Sequence, residues 1–181
     1  RYTLFFDPGR VKRGILPNDQ MGRALRAGRR YTIEVDQRWR DADGQPLAAP
    51  FRRTFAAGPA EMQPIRLADW TIAPPRAGTR DALSVAFPKP LDHGLLNRAI
   101  GVVRAGQRDP VSGDVAIGSG ERAWTFTPRG AWPAGDYELV VLAILEDPAG
   151  NQIDRPFDVD RFERIDATPA PDRRSLPFAI R

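Results

Sequence analysis

The amino-acid sequence predicts an all-β protein built from two tandem β-sandwich domains. Short apolar segments recur at intervals of about ten residues and alternate with polar residues, which is typical of strands with one buried face. The 181 residues include 18 prolines and 16 glycines, as expected where short strands are joined by turns. One strand-and-turn pattern occurs twice, 106 residues apart, which indicates tandem domains rather than a short-period repeat.

The clearest strand-and-turn unit runs from Trp124 to Asn151. It begins with a short strand that ends at Pro128, because proline fixes φ and removes a hydrogen-bond donor. Apolar side chains then alternate from Tyr137 to Val141, which predicts a strand with one buried face. A turn follows, with Asp147 at its head and a glycine where a positive φ is needed.

A weaker copy of this unit lies near the N-terminus. The matched residues are separated by 106 or 107 positions: Gly28 and Gly135, Tyr31 and Tyr137, Asp41 and Asp147, Gly44 and Gly150, Phe51 and Phe157. Pro8 and Pro128 also correspond at a separation of 120, so the first copy contains a longer connection, roughly Gly9 to Arg23. We therefore predict residues 1–60 as the C-terminal half of one domain and residues 61–181 as a complete domain.

The individual elements follow from local pattern. Strands are predicted at residues 1–8, 30–36, 51–56, 65–72, 83–87, 100–104, 124–128, 137–145 and 157–162. Between them we predict an exposed basic loop at 9–23, a helical turn at 91–98 capped by Asp92, a short edge hairpin within 105–121, and a polyproline-like connector at 168–171 before a last apolar piece at 176–180. About seven short strands are typical of an immunoglobulin-like (Ig-like) β-sandwich, although the cysteine pair of antibody domains is absent.

Several short motifs carry a resemblance to a known family. They are P-P-x-A-G-T, L-S-V-A-F-P-K-P-L-D, W-T-F-T-P, A-G-D-Y-E-L-V-V and L-E-D-P-A-G-N, in that order. Together they resemble the bacterial Ig-like domains of S-layer and other cell-envelope proteins, over residues 64 to about 165, and residues 1–57 resemble the second half of such a domain. The resemblance implies a structural or adhesive module of an exported bacterial protein, with no catalytic residues and no cofactor.

Charge is divided unevenly along the chain. Residues 1–60 contain 12 Lys and Arg against 6 Asp and Glu, a net charge of +6, whereas residues 61–181 contain 15 against 17, a net charge of −2. The candidate interaction patch in the basic part consists of Arg10, Lys12, Arg13, Arg29 and Arg30. It predicts either an anionic partner such as a polysaccharide or simply a solvated loop. No aromatic residues are interleaved for base stacking, so we expect no nucleic-acid partner.

The residues that carry chemistry do not form a catalytic set. His93 is the single histidine and Cys is absent, so a histidine or thiolate metal cluster is excluded. Glu146 and Asp147 are adjacent in sequence and point to opposite faces of a strand, which argues against a carboxylate pair for glycoside hydrolysis. Asp147, Asn151 and Asp154 offer oxygen ligands for calcium, but turn formation explains the first two without a metal. We predict that the chain is not an enzyme and needs no metal.

Three hypotheses for function follow. The first is a non-catalytic structural or interaction module of an exported bacterial cell-envelope protein, located in the periplasm, on the outer-membrane surface or outside the cell. The second is a binding module for polysaccharide or another anionic surface, through the basic patch or through Trp132, the loop tryptophan best placed to stack on a sugar. The third is an accessory domain of a larger enzyme. The sequence has no run of 18 apolar residues, so we expect no transmembrane segment.

The first domain also predicts a partner. A half-sandwich would expose the inward faces of its strands, which carry Leu4, Phe6, Tyr31, Ile33 and Val35. We expect the missing strands to come from an upstream segment or from a separate protein, as in donor-strand complementation.

Overall fold

The computed structural model describes residues 16–157 and 173–181. These residues form β-strands joined by turns, with two short α-helices and two single turns of 3-10 helix, which confirms the prediction of an all-β protein. The chain divides into two compact units, Arg1–Glu61 (unit 1) and Met62–Arg181 (unit 2). No helix in the described residues is long and apolar enough to cross a membrane.

Unit 1 contains helix α1 (Leu16–Met21) and a two-stranded antiparallel sheet of β1 (Arg30–Val35) and β2 (Phe51–Ala56). The strands correspond to two of the predicted ones, whereas the predicted strand at residues 1–8 lies outside the described residues. The sequence predicts an exposed loop at residues 9–23, and helix α1 corrects that prediction for Leu16–Met21. Its local cause is Pro17 in the first turn, where no hydrogen bond is lost, followed by an acidic residue that compensates the helix dipole.

Unit 2 contains two antiparallel sheets. The first has the strand order β3–β4–β7–β6 and the second has the order β5–β8–β9. The strands are β3 (Thr71–Ala73), β4 (Leu83–Ala86), β5 (Ile100–Arg104), β6 (Gly113–Ile117), β7 (Ala123–Pro128), β8 (Gly135–Leu142) and β9 (Arg173–Ile180). Helix α2 (His93–Leu96) lies between β4 and β5 and begins as predicted, because the Asp92 carboxylate accepts a hydrogen bond from the Leu95 amide at 2.8 Å.

A single hydrophobic cluster fills unit 2 and draws buried side chains from both sheets. The predicted core residues are all buried in it: Leu83, Val85, Phe87, Trp124, Phe126, Tyr137, Leu139 and Val141. Every second residue of β7 is buried, and β8 repeats that pattern up to Val141, which is why alternation in the sequence identified them. Helix α2 adds Leu95 and Leu96 to the cluster.

Several boundaries in unit 2 differ from the sequence prediction. The predicted strand at residues 65–72 is interrupted, because Leu67–Asp69 form a turn of 3-10 helix and strand β3 begins only at Thr71. Strand β8 ends at Leu142, and the apolar run beyond it bends through a turn that still buries Leu145. The predicted edge hairpin within 105–121 is a single edge strand, β6, which pairs with β7. Residue 157 lies in a turn, and residues 158–162 lie outside the described residues. The last apolar piece is a full strand, β9, in register with all of β8, because its alternate apolar residues continue the buried face of that strand.

Candidate functional site

The turn that follows β8 is held by four hydrogen bonds of its own. One carboxylate oxygen of Asp147 accepts from the amides of Ala149 and Asn151, each at 2.9 Å. In the backbone, the Asp147 amide donates to the Asn151 carbonyl at 3.0 Å and the Gly150 amide donates to the Asp147 carbonyl at 2.9 Å. Gly150 has φ 84°, and a Cβ there would lie 2.7 Å from the Phe157 ring, so only glycine fits without strain.

The same four hydrogen bonds occur in unit 1. The Asp41 carboxylate accepts from the amides of Asp43 and Gln45 at 2.9 Å each. The Asp41 amide donates to the Gln45 carbonyl at 2.8 Å, and the Gly44 amide donates to the Asp41 carbonyl at 3.1 Å. Gly44 has φ 78°, close to the value of its counterpart Gly150. The residues matched between the two turns in the sequence therefore make the same hydrogen bonds in both.

Unit 2 adds a buried ion pair to this turn. The Lys89 ammonium donates to the second carboxylate oxygen of Asp147 at 2.7 Å and also to the Gln63 carbonyl. The Asn151 amide group donates to that same oxygen at 2.9 Å, and its own oxygen accepts from the Phe157 amide at 3.0 Å. Asp147 is only 3% exposed. We name Lys89, Asp147 and Asn151 the Asp147 clasp; it ties the segment after β4 to the turn after β8.

The clasp also bears on the calcium hypothesis. Both carboxylate oxygens of Asp147 accept from N–H donors, and one of those donors is a lysine ammonium, which repels a cation. Asp154, the third candidate ligand, has its carboxylate 3.8 Å from the Arg174 guanidinium. Within residues 16–157 and 173–181 there is no group of three or more acidic, histidine or cysteine side chains arranged to hold a metal. The geometry of Asp147 is that of a structural turn.

Glu146 lies beside the clasp in an unfavourable electrostatic environment. Its burial raises the pKa of its carboxyl, and the nearby charges of Asp92 and Asp147 raise it further. Its backbone carbonyl accepts from the Asp92 amide at 2.8 Å, which holds the loop before α2 close to this strand end. Glu146 therefore destabilises the fold when it is ionised.

We expect Glu146→Gln to stabilise the protein at pH 7 and to leave its stability unchanged below about pH 4. The folded-state pKa is raised, so the favourable contribution of Glu146 is present at low pH and is lost as the pH rises through that pKa. The gain is small, because the side chain is only half-buried and solvent screens the charges. Urea unfolding of both variants at several pH values measures it; a gain that stays constant with pH contradicts the electrostatic cause.

The side chain of His93 is paired with an acidic residue in the described part of the chain. Its Nδ1 lies 3.2 Å from a carboxylate oxygen of Glu121, at the start of α2. Glu121 has φ 54°, an uncommon backbone conformation for a residue with a side chain. The pair connects α2 with the turn before β7. A contact between two neighbouring segments of the fold is a sufficient reason for both side chains.

The predicted interaction patch is only partly described. Arg29 and Arg30 are exposed at the start of β1, whereas Arg10, Lys12 and Arg13 lie outside the described residues. Trp132 requires a correction to the expectation of a sugar-stacking platform. It is 1% exposed, its indole N–H donates to the Asp81 carbonyl at 2.9 Å, and its ring contacts Phe126 and Tyr137. Its place beside a proline suggested a loop surface, but the loop folds the ring into the core.

Three features of the structure were not predicted from the sequence. Lys89 and Asp147 are 58 residues apart, and only the F-P-K-P motif, which places a lysine between two prolines, hinted at a fixed position for the amine. Trp39 is 58% exposed in unit 1, although the repeat aligns it with Leu145, which is 0% exposed. A cavity of about 220 Å³ adjoins the clasp; its walls include Pro64, Arg66, Asp69, Trp70, Phe87 and Lys89.

Comparisons with known proteins give a limited match. No protein-family model matches the chain, and no curated protein matches it. Two solved structures of the S-layer protein SbsC are similar in part. The structure of residues 31–844 aligns over 51% of this chain and 12% of its own length, with 16% identity and a TM-score of 0.36. The structure of domains 1–6 aligns over 61% of this chain and 13% of its own length, with 15% identity and a TM-score of 0.41.

Proposed function

We propose that unit 2 is an Ig-like β-sandwich of the constant type. In such domains strands A, B, E and D form one sheet and strands C, F and G form the other. The observed orders β3–β4–β7–β6 and β5–β8–β9 reproduce that arrangement when the strands are lettered in chain order. The single cluster of buried residues drawn from both sheets supports face-to-face packing of the two.

A tyrosine near the start of β8 supports the same assignment. Ig-like domains commonly carry a tyrosine at the E–F corner whose hydroxyl bonds to the backbone a few residues upstream. Here the Tyr137 hydroxyl donates to the Pro133 carbonyl at 2.9 Å. In unit 1 the Tyr31 hydroxyl accepts from the Arg26 amide at 2.8 Å. The two tyrosines occupy equivalent corners of equivalent strands.

Unit 1 corresponds in this proposal to the last two strands of a second Ig-like domain. Tyr31 pairs across the sheet with Phe55, and Tyr137 pairs with Phe178. Both pairs are stacked, with ring centroids 6.0 Å and 5.7 Å apart. Phe55 and Phe178 are 123 residues apart, against 106 for the tyrosines, so the connection after the turn is 17 residues longer in unit 2. β1 and β2 are thus the equivalents of β8 and β9.

The pairing corrects one detail of the sequence repeat. Phe51 opens strand β2 opposite Val35, whereas residue 157 lies in a turn, and the residue opposite Val141 is Arg174. Phe51 and Phe157 match in sequence because both follow a Pro in the loop. They are not equivalent in the sheets, since the copies diverge after the turn.

We propose that the chain acts as a non-catalytic structural or interaction module of an exported bacterial cell-envelope protein. The observation that carries the proposal is the duplicated hairpin and turn, with the same hydrogen bonds in both units. Its acidic head residue holds a turn in both copies, and in unit 2 Lys89 and Asn151 complete the clasp around it. In both copies the polar side chains of the turn bond to the backbone and stabilise the turn. This is what we expect of modules that act as spacers or as interaction surfaces in a larger protein.

The test of this proposal is where the protein is found in the cells that produce it. Antibodies against residues 62–181 should label intact cells or the periplasmic fraction, and external protease should remove the signal if the protein lies on the surface. The matched control is a cytoplasmic marker, which must stay unlabelled. Detection in the cytoplasmic fraction alone would contradict the proposed location, and substrate turnover by the purified chain would contradict a non-catalytic role.

Binding of an anionic polysaccharide is the second candidate, and the exposed cations of unit 1 favour it. The exposed arginines in its described part are Arg26, Arg29, Arg30, Arg38, Arg40, Arg52 and Arg53. Retention of the chain on a heparin column, lost at high salt and reduced by Arg29→Ser with Arg30→Ser, would support it. Arg66→Ser in unit 2 is the control. An unretained chain leaves these arginines as a solvated surface.

A further inference from the structure

Two side chains of the Asp147 clasp are not needed to form its turn. The equivalent turn of unit 1 makes the same four hydrogen bonds with backbone groups and the Asp41 carboxylate. Gln45 stands there in the position of Asn151, and Asp41 is exposed. Lys89 and Asn151 are therefore additions to a turn that already forms from its other groups, and they need a separate reason.

One carboxylate oxygen of Asp147 binds both an amine and a carboxamide. The Lys89 ammonium donates to this oxygen at 2.7 Å, and the Asn151 side-chain amide donates to it at 2.9 Å. The two nitrogens are therefore separated by no more than two hydrogen-bond lengths. The side chain of Lys89 is 18% exposed, that of Asp147 is 1% exposed, and Asn151 is buried. A nucleophile, a proton carrier and an electrophile thus meet in a site with little solvent.

The segment that carries Lys89 is held on both sides. Pro88 and Pro90 flank the lysine, and each proline ring fixes its own φ. The amides of Phe87 and Leu91, just before and after this stretch, donate to backbone carbonyls at 2.8 and 3.0 Å. The backbone therefore holds the amine near its partners, which lowers the entropic cost of a reaction between them.

The carboxamide of Asn151 is hydrogen-bonded at both of its polar atoms. Its oxygen accepts from the Phe157 amide at 3.0 Å, and its nitrogen donates to the two carboxylate oxygens of Asp147 at 2.9 and 3.2 Å. An N–H group at the oxygen stabilises the negative charge that develops there when a nucleophile adds to the carbonyl carbon. A carboxyl group beside the nitrogen supplies the proton that the nitrogen needs to leave as ammonia.

We propose that Lys89 and Asn151 form an intramolecular amide bond, with Asp147 as the group that transfers the protons. The Asp147 carboxylate first takes a proton from the ammonium, which removes two charges from a site with little solvent. The neutral amine then bonds to the side-chain carbonyl carbon of Asn151. The bond from that carbon to the amide nitrogen breaks, and the carboxyl proton goes to the leaving nitrogen.

Atoms and charges balance in this reaction. The attacking nitrogen of Lys89 gives up its second proton, and Asp147 ends as a carboxylate, as it began. A lysine ammonium and an asparagine carboxamide thus become one amide and one ammonium ion, and no oxidant, reductant or cofactor is consumed. The cavity that Lys89 helps to line, about 220 Å³ in volume, gives the ammonia room to leave.

Two other arrangements of the same groups fit less well. An amide between Lys89 and Asp147 needs a nucleophile to add to a carboxylate whose charge is stabilised by two backbone amides. An ion pair that never reacts keeps two charges out of water, and the cost of that desolvation cancels much of their attraction. The amide with Asn151 leaves no charge on the lysine and keeps Asp147 as the acceptor of its turn.

The bond ties the two sheets of unit 2 together covalently. Lys89 follows β4 in one sheet, and Asn151 follows β8 in the other. A bond between them restricts the unfolded chain as a disulfide does, in a sequence that contains no cysteine. Reducing agents do not break an amide, so this link is independent of the redox conditions around the protein.

Mass spectrometry of the purified 181-residue chain tests the bond. We expect an intact mass below that of the sequence by one molecule of ammonia, and a branched peptide that joins Lys89 to Asn151 after proteolysis. Lys89→Arg is the matched variant, because it keeps a cation opposite Asp147 but has no amine nucleophile. Its mass should equal the calculated one. Asp147→Asn, with folding checked by circular dichroism, should also lack the branched peptide, whereas Asp41→Ala in unit 1 should retain it.

Four results would overturn the inference. An intact mass equal to the calculated one would show that Lys89 and Asn151 stay separate. Loss of water with a link from Lys89 to Asp147 would place the bond on the wrong residue. Loss of ammonia without a branched peptide would indicate a succinimide at Asn151. A fully formed bond in Asp147→Asn would remove the role of the carboxylate in proton transfer. Each of these results leaves the proposed function as it stands, since cell fractionation tests that function separately.

Discussion

Asp147→Ala is expected to destabilise the protein by about 3–5 kcal/mol, the range for removing one partner of a buried ion pair. The carboxylate accepts from two backbone amides, from the Asn151 amide group and from the Lys89 ammonium, and it is almost completely buried. Its loss leaves these donors without their acceptor and leaves the lysine charge in a site with little solvent. Urea unfolding followed by tryptophan fluorescence measures the change, since Trp70, Trp124 and Trp132 are buried in unit 2.

The repeat provides a matched control for this prediction. Asp41→Ala removes the same two turn hydrogen bonds in unit 1, but Asp41 is exposed, whereas Asp147 is buried against Lys89. We expect a loss of about 1 kcal/mol or less there, the value of an ordinary hydrogen bond. Asp147→Asn is expected to fall between the two, since it keeps an acceptor for the turn but loses the charge opposite Lys89. Equal losses for Asp147→Ala and Asp41→Ala would show that the ion pair contributes nothing.

Local sequence pattern predicted the parts of the fold that depend on local rules. Alternation at period two identified the buried side of β7 and β8, because a strand covered on one face must place every second side chain in the core. The cap of α2 by Asp92 and the turn that begins at Asp147 were also predicted. In each, a side chain accepts a hydrogen bond from a backbone amide within four residues of it. The full length of β9 was not predicted, because Arg173 to Ser175 have no apolar alternation and belong to the strand only through their pairing with β8.

The candidate site was less predictable, because it depends on contacts between distant parts of the chain. Lys89 and Asp147 are 58 residues apart in the sequence, and nothing near either residue indicates that the two side chains form a pair. Trp132 and Trp39 show the same limit. A loop tryptophan beside a proline is buried, whereas a tryptophan aligned with a core leucine is exposed. Whether an aromatic ring is covered depends on which strands pack over it, and that is decided by the fold as a whole.

Leu139→Ala is expected to cost about 2–5 kcal/mol of unfolding free energy, because the substitution leaves a cavity among packed side chains. Leu139 is 0% exposed at the middle of β8, which lies between β5 and β9. The matched control is Leu142→Ala at the end of the same strand, where the leucine is 37% exposed; we expect a change within about 0.5 kcal/mol. Both variants keep strand length and charge, so the difference between them reports burial alone. Equal urea midpoints for the two variants would remove Leu139 from the core and contradict the register of β8 with both of its neighbours.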